Sequence, residues 1–94
     1  MFQITVSCTG VSEAAALAGL ADIAEEFTQR PWQESVSCRW ESGRLVLQAI
    51  NDYDTDGQAL LGEFSDAVCA CLPIEDTEIG FVVESVRTLP GSEA

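Results

Sequence analysis

The 94-residue sequence predicts a single α+β domain of element order βαββαβ, built as a four-stranded antiparallel sheet with two helices on one face. Three observations predict it. Apolar and polar residues alternate with a period of two in "FQITVSC" near the start and in "TEIGFVVESVRTL" near the end. Two segments, one after Ser12 and one after Thr55, repeat apolar residues at three-and-four spacing. Between them, "ESVSCRWESGRLVLQAIN" divides into two extended runs meeting at Ser42 and Gly43, a two-residue connection that closes a hairpin.

In the first strand Phe2, Ile4, Val6 and Cys8 share one face, with Gln3, Thr5 and Ser7 on the other. Gly10 breaks the pattern and Ser12 is placed to cap a helix whose apolar face is Leu17, Leu20, Ile23, Ala24 and Phe27. That helix ends near Arg30, because Pro31 disfavours helical geometry in the residue before it. In the hairpin, pairing Glu41 with Arg44 sets Trp40 against Leu45, Cys38 against Leu47 and Val36 against Ala49, so one face is apolar throughout. Leu60, Leu61, Phe64, Ala67, Val68, Cys71 and Leu72 form the stripe of a second helix, stopped by Pro73. The last strand turns Ile79, Phe81 and Val83 inward and Val82, Glu84 and Val86 outward, and residues 90–94 form a loose tail.

This order matches the ferredoxin-like split βαβ unit, a two-layer sandwich spanning residues 1–94 without repeat or linker. Its usual strand order, 4-1-3-2, separates Cys8 and Cys38 by a third strand, ~9.5 Å at two strand spacings and beyond disulfide reach. With Cys69 and Cys71 they lack paired zinc-ribbon spacing, and there is no histidine to complete a mixed site. Free, mostly buried thiols are expected.

Apolar residues make up 47% of the chain, enough for a modest core, yet no run approaches the ~20 residues that cross a bilayer. The N-terminus lacks the order of a secretory signal, so a cytoplasmic protein is expected. Sixteen acidic residues face four arginines (Arg30, Arg39, Arg44 and Arg87), with no lysine or histidine. The net charge of −12 repels phosphate backbones and anionic lipid, which disfavours nucleic acid and membrane partners. It keeps the chain soluble, and it would also suit an acidic inhibitor or immunity-type protein covering a basic enzyme.

The stretch "NDYDTDGQALLGEF" fits D-x-[DN]-x-[DN]-G-x5-E from Asp52 to Glu63 and in this respect resembles the calcium loop of the EF-hand family. The resemblance implies Asp52, Asp54, Asp56 and Glu63 as side-chain calcium ligands, with Gln58 contributing a backbone carbonyl. A competing reading needs no ion. The residues before the loop pair as a strand, where an EF-hand has a helix, and Thr55 with Gln58 forms a capping box that would start a helix near Asp56. Seven residues of helix then carry Glu63 ~10 Å from Asp56, whereas ligands must all lie ~2.4 Å from one ion. A helix from 56 to 72 also spans ~25 Å, about the length of a seven-residue strand, and acids near its N-terminus suit its dipole. The helix start is the preferred reading and calcium the alternative.

No histidine or lysine base and no G-x-S-x-G elbow is present, so an enzyme is not expected. With both helices on one side, the other sheet face carries Val46, Ile50, Val82 and Val86 among Thr5, Ser7 and Gln48. That open face, or an edge strand, is the expected contact of a homodimer or of a protein partner. The element order with Gly10 and Val11 after the first strand resembles ACT domains, small ferredoxin-like modules that bind amino acids and regulate enzymes. The residues and the resemblance together point to recognition, not turnover.

Overall fold

The computed structural model describes residues 1–72 and 79–90. The elements are β1 (Phe2–Thr9), α1 (Glu13–Thr28), β2 (Glu34–Glu41), β3 (Arg44–Asn51), α2 (Gln58–Cys71) and β4 (Gly80–Thr88). The four strands form one antiparallel sheet in the order β2-β3-β1-β4, the order of a ferredoxin-like sandwich. Pro73, expected to stop the second helix, the start of the last strand at Thr77 and Glu78, and tail residues 91–94 lie outside the described residues. Among the described residues no helix is long and apolar enough to cross a membrane.

The core fills the space between sheet and helices. Ile4, Val6 and Cys8 of β1 and Leu45, Leu47 and Ala49 of β3 face Ala16, Ile23 and Phe27 of α1 and Leu60, Phe64 and Val68 of α2. The Phe64 ring meets Phe81 of β4 edge to face, centroids 5.9 Å apart, which is the favoured arrangement of two ring quadrupoles. Ser12 caps α1 as expected, its hydroxyl accepting from Ala15 N at 3.1 Å.

The buried stripe of α1 differs from the expected one. It runs through Ala16, Gly19, Leu20, Ile23 and Phe27, while Leu17 is 51% exposed and Ala24 also faces outward. The cause is Gly19, where any added Cβ would collide with the Leu72 side chain. The missing side chain lets Leu72 and the end of α2 come close at that point, so the helix buries its small residues and turns Leu17 to solvent.

Two strands also depart from simple alternation. The expected hairpin register holds from Glu41↔Arg44 through Trp40↔Leu45 and Cys38↔Leu47 to Ser37↔Gln48. Beyond it the pairing shifts to Glu34↔Ile50, and Ser35 takes φ 52°, so one extra residue bulges out and Val36 loses its expected pairing with Ala49. A second shift lies between β1 and β4, where Thr5 pairs with Ser85 but Val6 with Val83. It corrects one expectation directly: Val86 pairs with Ile4 and packs against the core instead of lying on the open face. The extra residue reverses the inward and outward assignment of everything after Glu84.

Candidate functional site

The acidic stretch between β3 and α2 is organised by hydrogen bonds to the protein itself. Asn51, 1% exposed at the end of β3, turns the chain by accepting from Tyr53 N at 3.1 Å and Asp54 N at 2.8 Å through Oδ1. That turn buries Asp54, which is 4% exposed. Its carboxylate accepts from two amides of the first turn of α2, Ala59 N at 3.2 Å and Leu60 N at 2.8 Å. Asp56 Oδ1 accepts from Gln58 N at 3.0 Å. These carboxylates thereby satisfy N–H groups that a helix start leaves without intrahelical partners, and they lie at the positive end of its dipole.

The helix therefore starts ahead of Leu61, as the preferred reading requires, but two residues later than expected and with a different cap. Gly57 is the N-cap residue, at φ 80° and with no side-chain cap bond, so the Thr55–Gln58 capping box does not form. A Cβ on Gly57 would lie 2.7 Å from Val83 Cγ1 and 3.2 Å from Ile4 Cγ2. With Gly57 in the left-handed region the helix cannot run through position 57, so a cap at Thr55 has no first turn to close.

Glu63 is engaged elsewhere. Its Oε2 accepts from Trp32 Nε1 at 3.0 Å, its Oε1 accepts from Gln33 Nε2 at 3.3 Å, and Arg30 Nε lies 3.6 Å away. Gln33, 5% exposed, also donates to the Tyr53 hydroxyl at 3.1 Å and accepts from Asn51 Nδ2 at 2.9 Å. One network thus ties the α1–β2 connection to the β3–α2 loop and to the first turns of α2. Of the four proposed calcium ligands, Asp54, Asp56 and Glu63 hold protein donors while Asp52 is exposed, and Gln58 opens the helix. Among the described residues no group of three or more His, Cys, Asp or Glu is arranged to hold a metal ion.

Trp32 and Tyr53 stand at the rim of this network, 48% and 45% exposed. The Tyr53 phenol is pushed above its ordinary pKa, first by partial burial and then by the Glu63, Asp54 and Asp52 carboxylates around it. Trp32, Gln33, Asn51 and Tyr53 were not among the residues expected to matter. The one signal for them was Asn51 followed three residues later by Asp54, the side-chain-capped turn chemistry that short polar residues favour.

On the open sheet face Val46, Ile50 and Val82 keep their expected side, but to different degrees. Val46 is fully buried by its neighbours, Ile50 is half-buried, and Val82 is 53% exposed. Around them the polar groups pair with one another: Gln48 Nε2 with Thr5 Oγ1 at 2.9 Å, Arg87 Nη1 with Gln3 Oε1 at 3.2 Å, and Arg39 with Glu41. Arg44 donates through Nε and Nη2 to the Glu84 carboxylate and through Nη1 to the Glu41 carbonyl. That two-pronged pairing holds the Glu84 carboxyl down at about 2. Ser7 Oγ is the one buried side-chain polar atom among the described residues with no hydrogen-bond partner.

All four cysteines are free. Burial pushes the Cys8 and Cys38 thiols up to about 11, as core-lining groups deprived of solvation. Cys69 is exposed on α2, a departure from the expectation that the thiols are mostly buried. In comparisons with protein-family models, with curated proteins and with solved structures, no significant match to this chain was found.

Proposed function

We propose that this chain is a non-enzymatic binding module that self-associates by stacking its open sheet face on that of a second copy. The distribution of charge carries the proposal. The four strands bear three arginines (Arg39, Arg44, Arg87) and three glutamates (Glu34, Glu41, Glu84), which cancel. The helices and the connections of the described residues hold nine acids, from Glu13 to Asp66, against Arg30 alone. Two chains of charge −12 repel one another in most orientations, and the face where opposite charges are already paired repels least.

Edge pairing is the weaker route. The free edges belong to β2 and β4, and each strand carries a register shift that bends its backbone away from a continuous ladder. A face of four strands and eight residues measures about 19 Å by 26 Å. Stacking two such faces buries roughly 1,000 Å² in total, the lower limit for a specific interface, so a weak and concentration-dependent dimer is expected. Sedimentation at several protein concentrations tests it. The wild-type chain should shift toward a dimer as concentration rises, and Val82→Glu, which puts a charge at the most exposed apolar position of the face, should remain monomeric. A wild-type chain that stays monomeric at millimolar concentration contradicts the proposal.

A further inference from the structure

Exposed large apolar side chains are few among the described residues: Leu17, Trp32, Tyr53 and Val82. Two of the four, Trp32 and Tyr53, are brought to one corner by their bonds to Glu63 and Gln33, and neither belongs to the core. Packing does not account for their presence there, and both rings are held in place. The indole N–H donates to Glu63, the phenol oxygen accepts from Gln33, and Gln33 joins the two by donating to both Tyr53 and Glu63. Because Gln33 and Asn51 beneath are buried and bonded to each other, the rings lose little further freedom when something covers them.

The surroundings select the sign of what would cover them. Asp52 is exposed beside Tyr53 and has no hydrogen bond or ion pair recorded among the described residues, and Asp54, Asp56 and Glu63 follow in the same loop and helix. Arg30 is the one cation at this corner; it is held between Glu26 and Glu63 at 3.6 Å from each, with its guanidinium 5.3 Å over the Phe27 ring. Aromatic faces in an anionic field attract a planar cation, which can stack on the rings and pair with a carboxylate at its edge.

We propose that the Trp32–Tyr53 corner is a docking site for an arginine-bearing basic segment of a partner protein, with a guanidinium seated against the rings and paired to Asp52. The corner lies on the α1–β2 and β3–α2 connections, apart from the Val82 region of the open sheet face, so this site and self-association stand or fall separately. Its complementarity is that of charge and ring face together, which distinguishes it from the general attraction of an acidic surface for any polycation.

The test is a titration of the full chain with a hexa-arginine peptide, followed through the two indole N–H signals of Trp32 and Trp40 by NMR. The Trp32 signal should shift saturably while Trp40, on β2, reports that the fold is intact. Trp32→Ala and Tyr53→Ala should each weaken binding about tenfold, and Asp52→Asn, which leaves every recorded hydrogen bond in place, by about threefold. Val82→Glu should bind as the wild type does. If Trp32→Ala does not fold, Tyr53→Ala and Asp52→Asn decide the matter alone. Equal binding by wild type, Tyr53→Ala and Asp52→Asn overturns the proposal, as does the absence of a saturable Trp32 shift at millimolar peptide.

Discussion

Replacing Gly57 with alanine is expected to destabilise the protein by about 2–5 kcal/mol. Two costs combine. At φ 80° the backbone sits in the left-handed region, where a Cβ costs roughly 1–2 kcal/mol. The same Cβ would lie 2.7 Å from Val83 Cγ1 and 3.2 Å from Ile4 Cγ2, so β4 and β1 would have to yield, at about 1–3 kcal/mol for an overpacked core. A domain of this size gains or loses ~4–8 °C per kcal/mol, so a fall in midpoint of at least about 8 °C should be seen by thermal denaturation. Gly62→Ala is the matched control. That glycine lies inside α2 with nothing within 4 Å of its Cβ position, so alanine should be neutral or stabilising by up to ~1 kcal/mol. Equal effects at the two positions would mean that Gly57 is not pressed against the sheet.

Asp54→Ala is expected to cost about 2–4 kcal/mol, read from chemical denaturation. Removing the carboxylate leaves the amides of Ala59 and Leu60 without their acceptor, at a residue that is 4% exposed. It also removes the negative charge from the N-terminal end of the α2 dipole. Asp54→Asn keeps one oxygen for one of the two amides and should recover roughly half of the loss. The neighbouring Asp52→Asn, exposed and making no recorded bond, should change stability by no more than ~0.5 kcal/mol. The contrast between these two aspartates, two residues apart, separates a carboxylate that anchors a helix from one left to the surface.

The architecture was legible because it rests on periodicity. β1, the hairpin at Ser42 and Gly43, the α2 stripe and the Ser12 cap all follow from residue spacing that only one local structure satisfies. What was not legible depends on contacts between distant segments. The outward run Val82, Glu84, Val86 alternates cleanly in sequence, and only pairing with Thr5 and Val6 reveals the extra residue that turns Val86 inward. On α1 the apolar spacing points to Leu17, which is exposed, because Gly19, having no side chain, gives no apolar signal while setting the approach of Leu72. The acidic loop was legible as a helix start but not in its mechanism. A capping box is a local pattern, whereas Asp54 reaches five and six residues ahead to its amides, and Glu63 finds Trp32 and Gln33 some thirty residues back. Nothing in a linear motif distinguishes a carboxylate aimed at a cation from one aimed at a backbone N–H, because both chemistries want short acidic side chains beside a sharp turn.

The central claim is that Asp54, Asp56 and Glu63 serve the protein's own donors and do not converge with the exposed Asp52 on an ion. Calorimetric titration of the full chain with calcium tests it most directly, repeated with Glu63→Gln, which leaves Asp54 and the start of α2 in place. The account predicts no stoichiometric binding in the micromolar range and the same result for both chains. Micromolar binding of one calcium ion per chain, abolished by Glu63→Gln, would contradict it.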